Sequence, residues 1–354
     1  MGLGSMKYVK KSYFGTTKDL NRVYKFTVLN NRGTEVDIIN YGATVTSFRI
    51  KDNLGKTHDI VLGYDSLDDY ENGDKFFGST IGRCANRISN SSFRINDKIY
   101  NLENNEGDNH LHGGENGFHR KIWDYKVEER VVIFTYISED MEEGYPGRCT
   151  LKVEFTLTDD NELCINYIGK TNKDTILNPT NHCYFNLNGH NDGSILKHSL
   201  TVNANSYTPI ESDGIPKGKI YKVENTPFDL RTPKSIQEVI SRESKQLFYG
   251  KGLDHNFCIN GKENTLRLGA ILEDDSRERR LMVYTTLPGI QIYTGNNIGR
   301  ENGKGNSTYL DNSGICLETQ YYPDSINIDE FQSPILKAGE VYKSTTIYKI
   351  ESIL

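Results

Sequence analysis

Residues 150–169 read "TLKVEFTLTDDNELCINYIG", a stretch whose pattern indicates the fold class of the chain. Apolar and polar side chains alternate in "TLKVEFTL" and again in "ELCINYIG", with the polar cluster "TDDN" between them. Alternation with a period of two is typical of a strand that buries one face, and a polar turn between two such runs indicates a β-hairpin. The stretch therefore predicts two antiparallel strands joined by a short turn.

The same pattern recurs along the whole chain. Further runs are "RVYKFTVLN", "NRG" and "TEVDIIN" (22–40), "VVIFTYIS" (131–138), "RLMVYTTL", "PG" and "IQIYTG" (280–295), and "EVYKSTTIYKIESI" (340–353). No linker-like stretch interrupts them, and the 22 tyrosines and 14 phenylalanines suit pleated sheets. We therefore predict one all-β domain over residues 6–354. Residues 1–5, "MGLGS", resemble a cloning scar and are left out of the fold argument.

Helical patterns are scarce. The best candidate is "TPKSIQEVISRESKQLF" (232–248), where Thr232 can cap, Pro233 fits the first turn and apolar residues recur on one face. It predicts a single short helix beside the sheets. The sequence contains neither strand-helix alternation nor the glycine-rich motif of a Rossmann or P-loop domain. This argues against nicotinamide-dependent epimerisation and phosphoryl transfer.

Composition restricts the partners. The chain has 354 residues and a formal net charge of -6, without a run of basic residues, so nucleic acid is not an expected partner. Apolar runs are too short for a membrane span and the N-terminus lacks the apolar centre of a secretory signal. Six scattered cysteines form no C-x-x-C pair and are expected to be small core residues. We expect a cytoplasmic protein that is a monomer or a weak homodimer.

Several polar clusters interrupt the strand pattern. In "GSTIGRCANRISNSSF" (78–93), Asn86 and Arg87 lie in a segment too polar for a core strand. A guanidinium offers a rigid fork of donors that suits a sugar hydroxyl or a carboxylate. The alternative is that Arg87 caps backbone carbonyls or pairs with an acid. In "GLDHNFCING" (252–261), Asp254 either accepts hydrogen bonds from vicinal sugar hydroxyls or makes a turn at a strand start.

Histidines form another cluster. The segment "GDNHLHGGENGFHRKIW" (107–123) holds His110 and His112, which as strand residues would share one face, and His119, which we expect in a loop. An H-x-H pair can bind a metal, but the further ligands of a zinc site are not at a recognised spacing, so we expect no metal. His182 lies in "NPTNHCYFNLNGH" (178–190), a short strand bounded by loops. It either packs between layers or is functional.

The strongest candidate for catalysis is Glu318 in "GICLETQYYPDSIN" (314–327). Apolar and aromatic residues flank it on both sides, and burial raises the pKa of a carboxyl group towards the range that a general base needs at neutral pH. With histidines, an arginine and many amides, this predicts an acid-base site for a polar, uncharged ligand such as a pyranose. The absence of a G-x-S-x-G motif argues against acyl transfer.

Nine segments in this order resemble the aldose 1-epimerase (galactose mutarotase) family. They are "NYGATVTSF" (40–48), "DIVLGYDSLDDY" (59–70), "GSTIGRCANRI" (78–88), "NHLHGGENGFHRKIW" (109–123), "NPTNHCYFNLNGH" (178–190), "TPFDLR" (226–231), "GLDHNFC" (252–258), "PGIQIYTGN" (288–296) and "CLETQYYPDSIN" (316–327). The resemblance spans nearly the whole chain. It implies a large antiparallel β-sandwich with one or two short helices and an enzyme that interconverts the anomers of free hexoses without a cofactor.

The resemblance also implies roles for single residues. Glu318 is similar to the family's general base and His182 to its general acid, while His112 matches a second histidine that stabilises charge. The implied sugar-binding residues are Asn86, Arg87, Asp254 and Gln291. In this mechanism Glu318 removes the proton of the anomeric hydroxyl, His182 protonates the ring oxygen, and the opened chain rotates and recloses.

Three alternatives stay open at this stage. A glycoside hydrolase would use Asp254 and Glu318 as paired carboxylates. A non-catalytic sugar-binding protein could share the fold. A hexose 6-phosphate mutarotase would need a cluster of basic residues at the rim of the site, which is not evident beside these motifs.

Overall fold

The structure is a computed structural model that describes residues 8–353 of the chain. Residues 1–5, the expected cloning scar, lie outside the described residues. Strands dominate the described part, and every pair of neighbouring strands in its sheets is antiparallel.

The largest sheet has nine strands. In hydrogen-bonded order they are Asp124–Glu128, Val131–Ser138, Cys149–Leu157, Glu162–Thr171, Val341–Ser352, Arg279–Thr285, Arg267–Glu273, Ser199–Val202 and Lys234–Ser235. The strand Cys149–Leu157 buries every second residue, as its alternating sequence predicts. The C-terminal strand lies in the middle of the sheet and joins its two halves.

Two further sheets complete the main framework. The six-stranded sheet has the order Tyr184–Phe185, Ile315–Gln320, Gly289–Tyr293, Asp254–Ile259, Ala204–Thr208 and Tyr221–Lys222. The five-stranded sheet has the order Val9–Thr16, Arg22–Leu29, Glu35–Ile39, Thr44–Lys51 and Thr57–Asp59. Smaller two-stranded pairs are Arg87–Ile88 with His110–Leu111, Ser92–Ile95 with Lys98–Asn101, Thr80–Ile81 with Thr180–Asn181, Thr175–Ile176 with Ile335–Leu336, and Arg300–Asn302 with Thr308–Leu310.

The nine-stranded sheet packs against the other two. Tyr348 of this sheet donates a hydrogen bond to the Leu317 carbonyl of the six-stranded sheet at 3.1 Å. On the other side of the core, the rings of Phe26 and Phe134 join the five- and nine-stranded sheets with centroids 5.5 Å apart. These contacts belong to one large buried apolar cluster. The layered arrangement confirms the predicted antiparallel β-sandwich.

The hairpin predictions are correct except for one. Cys149–Leu157 pairs with Glu162–Thr171, and Arg22–Leu29 pairs with Glu35–Ile39. The prediction over 280–295 is wrong, because Arg279–Thr285 lies in the nine-stranded sheet and Gly289–Tyr293 in the six-stranded one. The segment around Pro288 passes from one layer to the other. A short turn sequence looks alike in both cases, and only the packing of the layers distinguishes them.

The helical prediction needs correction. Two short helices, α2 (Ile236–Ile240) and α3 (Lys245–Gly250), replace the single helix predicted over 232–248. The N-cap of α2 is Ser235 instead of Thr232, and its hydroxyl accepts from the Glu238 backbone amide. The sequence analysis missed α1 (Leu67–Asn72), which Ser66 caps. The described residues thus hold three α-helices and five 3-10 turns: Ser89–Ser91, Phe118–Arg120, Glu142–Gly144, Ile195–Lys197 and Lys304–Asn306. Within residues 8–353, no helix combines the length and apolar character that crossing a membrane requires.

Candidate active site

All seven predicted site residues line one cavity. They are Asn86, Arg87, His112, His182, Asp254, Gln291 and Glu318. These residues span more than 230 positions of the sequence, so the tertiary fold brings them together. Their shared cavity is the candidate active site.

Strand register explains much of the arrangement. In the six-stranded sheet Gln291 lies directly opposite Glu318, and Asp254 lies opposite Tyr293. Cross-strand partners project to the same face of a sheet, as do residues two apart on one strand. Tyr293 is two residues from Gln291, so all four side chains share the face that forms the cavity floor.

His182 reaches the same floor from the side. It lies between the short strands Thr180–Asn181 and Tyr184–Phe185, and the second of these pairs with the strand that carries Glu318. Its Nε2 atom is 3.6 Å from Oε1 of Glu318. His182 and Glu318 are 4 % and 2 % exposed. The acid and the base that the sequence suggests are therefore neighbours in the buried floor of the cavity.

Burial shifts both groups towards their neutral forms. Burial, followed by the charge of Asp254, raises the pKa of Glu318 well above its ordinary value. Burial also lowers the pKa of His182 to about 4. The neutral pair holds one acidic proton, on the carboxyl group, and its transfer to the imidazole gives an ion pair of the same net charge. The pair can therefore give a proton and take one without a change in its net charge.

His112 presents a hydrogen-bond donor. Its Nδ1 atom accepts from the backbone N–H of Asn86 at 3.1 Å, so that nitrogen carries no proton. Burial holds the pKa of His112 well below its ordinary value and keeps the ring neutral. In a neutral imidazole the proton then resides on Nε2. The ring is therefore fixed as a donor, which suits an oxygen that gains negative charge.

The same tautomer bears on metal binding. One ligand atom each from His112, His182 and Glu318 lie within 4.8 Å of one another, a spacing that suits a cation. A histidine ligand needs an unprotonated nitrogen, and in His112 that nitrogen is engaged by Asn86. The hydrogen bond to Nδ1 of His112 thus disfavours a metal ligated by this ring.

Arg87 both pairs with an acid and lines the cavity. Its Nε and Nη2 atoms donate to the two carboxylate oxygens of Glu106 at 2.6 and 2.7 Å, and its Nη1 atom is 3.9 Å from Asp254. Asp254 in turn accepts from the Gln291 amide at 2.7 Å. Burial raises the pKa of Asp254, and the charge of Arg87 opposes this shift. These four groups form a continuous polar wall.

One expectation about the other histidines is wrong, that of a strand face shared by His110 and His112, whereas His119 lies in a connection between strands as expected. The strand that holds His110 ends at Leu111, and His112 follows with a positive φ of 52°, so the two rings do not share a strand face. His110 hydrogen-bonds the Glu103 carbonyl through Nδ1 and does not line the cavity. His119 is in the turn Phe118–Arg120 and is buried, with its ring against Phe76. A local pattern could not show either outcome.

Sequence reasoning missed other residues of the cavity wall. They are Asp74, Lys75, Phe76, Glu106, Leu111, Tyr184, Tyr293 and Asn297. Tyr184 and Tyr293 are each two positions from a predicted site residue, so period-two alternation could have indicated them. Phe76 and Glu106 carry no such signal, because they reach the cavity from separate loops.

The fold and the cavity define a class of protein, an antiparallel β-sandwich with an acid-base site for a polar ligand. The family model for aldose 1-epimerases matches residues 24–349. The galactose mutarotase of Bos taurus is 41% identical over 328 residues, 92% of this chain and 94% of that protein. The aldose 1-epimerase of Escherichia coli strain K12 is 36% identical over 326 residues, 91% of this chain and 94% of that protein.

Solved structures of two related proteins have a similar fold. The aldose epimerase homologue from C. elegans superposes with a TM-score of 0.86 at 25% identity and covers 98% of this chain and 100% of its own. The galactose 1-epimerase from Lactobacillus acidophilus gives 0.85 at 29% identity, with 97% and 99% covered. The chain belongs to the aldose 1-epimerase family. It is an isomerase that interconverts the α and β anomers of hexoses, and the resemblance seen in the sequence is confirmed.

Proposed function

We propose that Glu318 and His182 are the acid-base pair of this reaction and that free galactose and glucose are the substrates. The observation that carries the proposal is the 3.6 Å separation of Glu318 Oε1 and His182 Nε2 in the floor of the cavity. Relatives named galactose mutarotase support the choice of galactose.

The reactive form is the ion pair, which the neutral pair reaches when the carboxyl proton of Glu318 moves to His182, 3.6 Å away. In the first step the Glu318 carboxylate takes the proton of the anomeric hydroxyl while the His182 imidazolium gives a proton to the ring oxygen. The bond between the anomeric carbon and the ring oxygen breaks, and the anomeric carbon becomes an aldehyde. Rotation about the bond between C1 and C2 turns the other face of the aldehyde towards the hydroxyl. The ring then closes with the roles of the two side chains reversed.

The pKa shifts favour ring opening. A carboxylate whose pKa is raised is a stronger base, and an imidazolium whose pKa is lowered is a stronger acid. Proton transfer converts a buried ion pair into two neutral groups, which is the form that burial favours. Burial of the two side chains thus lowers the free energy of the opened state relative to the reactive ion pair.

Other groups hold the sugar and its developing charge. We assign His112 to stabilise the oxygen that gains charge, because its Nε2 carries the proton. Asn86, Arg87, Asp254 and Gln291 are proposed to bind the sugar hydroxyls, since each lines the cavity with hydrogen-bonding atoms.

The charges of the cavity favour a free hexose over a hexose 6-phosphate. Of its two cations, Arg87 is paired with Glu106, and the Lys75 ammonium is 3.0 Å from Asp74. Four carboxyl groups line the same cavity, those of Asp74, Glu106, Asp254 and Glu318. A phosphate ester needs uncompensated basic groups, and the lining residues offer an excess of acids instead.

The proposal is tested by polarimetry on freshly dissolved α-D-galactose and α-D-glucose. Glu318→Gln and His182→Asn should each lower kcat by about 10²- to 10⁴-fold, the usual contribution of one acid or base. Bound sugar should still be detected by calorimetry. The exposed Glu330→Gln is the matched control.

Other results would support the alternatives. Full activity of Glu318→Gln would show that Glu318 is not the base. Release of the aglycone from aryl glycosides would favour a hydrolase that uses Asp254 and Glu318. Sugar binding by a wild-type protein that does not speed mutarotation would indicate a binding protein.

We further propose a cytoplasmic location and a monomer or weak homodimer. All six cysteines lie in the described part of the chain and are free, which suits a reducing compartment. Cell fractionation and sedimentation velocity at several concentrations test these two proposals. We also propose that residues 6–354 form one domain, which is supported by a core cluster that runs from Phe26 to Ile350.

A further inference from the structure

Phe76 lies among three histidines of the cavity region. Its ring centroid is 4.9 Å from that of His112, 4.7 Å from that of His119 and 5.7 Å from that of His182. The first two contacts are edge-on and the third is tilted by 32°. His112 and His182 are themselves edge-on at 5.1 Å. One aromatic ring thus contacts both histidines of the proposed mechanism and fills the space beside them.

The main chain of Phe76 adopts a conformation that is rare for its side chain. Its φ is 58°, in the left-handed region, which is a genuine outlier for a bulky residue. Conformations of this kind are strained and cluster at functional sites. The surrounding structure must therefore hold the residue in place.

Backbone hydrogen bonds tie this turn to the catalytic segment. The Phe76 carbonyl accepts from the Ser79 amide at 3.0 Å. The Gly78 amide donates to the His182 carbonyl at 3.0 Å, and the His182 amide donates to the Ser79 carbonyl at 2.9 Å. The turn that carries Phe76 and the backbone of His182 are thus held in one fixed relation.

Gly78 makes the close approach possible. Its φ is 68°, and a Cβ atom there would lie 1.8 Å from the Val45 carbonyl oxygen. Only glycine permits this packing. The turn is thus fixed against the five-stranded sheet on one side and against His182 on the other.

We propose that Phe76 is a positioning residue that holds the His112 and His182 rings in the orientation needed for ring opening. The inference rests on the proposed roles of these two histidines. The phenyl ring restricts the rotation of both imidazoles and excludes water from the space beside them. An aliphatic side chain in its place would fill part of the space without matching the ring edges of the histidines.

The experiment compares Phe76→Tyr, Phe76→Leu and Phe76→Ala with wild type. We expect kcat for α-D-galactose to fall about 10- to 100-fold in the leucine and alanine variants, as expected for a misplaced catalytic group. The Michaelis constant should change by less than about threefold, because the groups proposed to bind the sugar are unchanged. Phe76→Tyr keeps the ring and should retain at least about a third of kcat.

The protonation of His182 gives a second readout. The titratable groups around it are His112, His119, Tyr184, Cys316 and Glu318. In Phe76→Ala, water that enters the space left by the ring should raise the pKa of His182 from about 4 towards its ordinary range. Nuclear magnetic resonance of ¹⁵N-labelled histidine measures this pKa, and His182→Asn identifies the signal.

Phe93→Leu is the matched control. Phe93 is a buried aromatic of a different cluster, stacked on Tyr100 and outside the cavity. The Phe93→Leu variant should lose thermal stability while kcat and the His182 pKa stay unchanged. If Phe76→Ala does not fold, the comparison of Phe76→Leu with Phe76→Tyr still tests the inference.

Wild-type kcat in Phe76→Leu, or an effect on the Michaelis constant alone, would overturn the inference. Failure of the proposed function is a separate result, because it appears as full activity in His182→Asn or Glu318→Gln.

Discussion

Glu318 is almost completely buried, and its Oε2 atom has no hydrogen-bond partner among residues 8–353. A buried polar atom without a partner costs free energy, more so when the group is ionised. Natural proteins tolerate such costs at active sites, where activity needs a destabilised group. Glu318 lines the same cavity as the proposed sugar-binding residues, so we propose that a substrate hydroxyl is the partner of this oxygen.

Glu318→Gln should therefore stabilise the protein at neutral and alkaline pH. The folded pKa is raised, so above about pH 4.5 the unfolded chain loses a proton that the folded chain keeps, and stability falls as the pH rises towards the folded pKa. Glu318→Gln has no carboxyl group at this position and does not lose stability in this way. The difference in free energy of unfolding between the variant and wild type should grow by up to about 1.4 kcal/mol per pH unit in that window.

Urea denaturation at pH 4.5, 6 and 8 measures the difference, with the exposed Glu330→Gln as the control. A stability difference between variant and wild type that is the same at all three pH values would contradict the raised pKa.

Arg87 illustrates a different dependence, since its position is set by another side chain. Glu106 holds two of its nitrogens at 2.6 and 2.7 Å. Glu106→Gln should free the guanidinium of Arg87 to turn towards Asp254. Because hydrogen bonds to charged groups contribute about 1.5–3 kcal/mol, the misplaced guanidinium should raise the Michaelis constant about tenfold. The value of kcat should stay within about threefold of wild type. Initial rates over a range of galactose concentrations test this. Glu103→Gln, an exposed acid of the same segment, should leave both constants unchanged.

At the scale of elements, the C-terminal strand Val341–Ser352 has the widest influence. It pairs with Glu162–Thr171 on one side and with Arg279–Thr285 on the other. Tyr348 projects from it to the strand that carries Glu318 and donates to the Leu317 carbonyl, with its ring 5.0 Å from that of Phe185. The nine-stranded sheet therefore supports the strand that carries Glu318.

Variants of Tyr348 that remove more of this contact should lose more of the free energy of unfolding. Tyr348→Phe loses one hydrogen bond and should lower the free energy of unfolding by about 1 kcal/mol. Tyr348→Ala also leaves a cavity and should lower it by about 3–5 kcal/mol. Val341→Ala, at a position of the same strand that is 44% exposed, should stay within about 0.5 kcal/mol of wild type. Chemical denaturation ranks the three, and equal losses in all of them would contradict the proposed support.

At the scale of the whole molecule, the three main sheets share one large apolar cluster. This cluster draws residues from the five-, six- and nine-stranded sheets, and the strand Val341–Ser352 joins the two halves of the largest sheet. Sheets that share a core in this way lose their packing together when one of them unfolds.

Thermal unfolding should accordingly follow a single transition. Differential scanning calorimetry should give a calorimetric enthalpy equal to the van't Hoff enthalpy, as for a two-state domain. Two resolved transitions, or a van't Hoff enthalpy well below the calorimetric one, would contradict the proposal of one domain over residues 6–354.

The sequence by itself determined the all-β class, most of the hairpins and the family. Alternating side chains dictate which face of a strand is buried, and this information is local, as in residues 150–169. The family motifs named seven residues that the structure brings to one cavity, because each motif carries its site residue within it.

The tertiary structure alone decided which layer each strand joins and what surrounds each site residue. The turn at Pro288 looks like a hairpin in the sequence but connects two sheets, and Phe76 and Glu106 reach the cavity from loops without a pattern. The dry surroundings that shift the pKa values of Glu318 and His182 also arise only after folding. Burial depends on contacts between distant segments, and no local pattern of residues contains them.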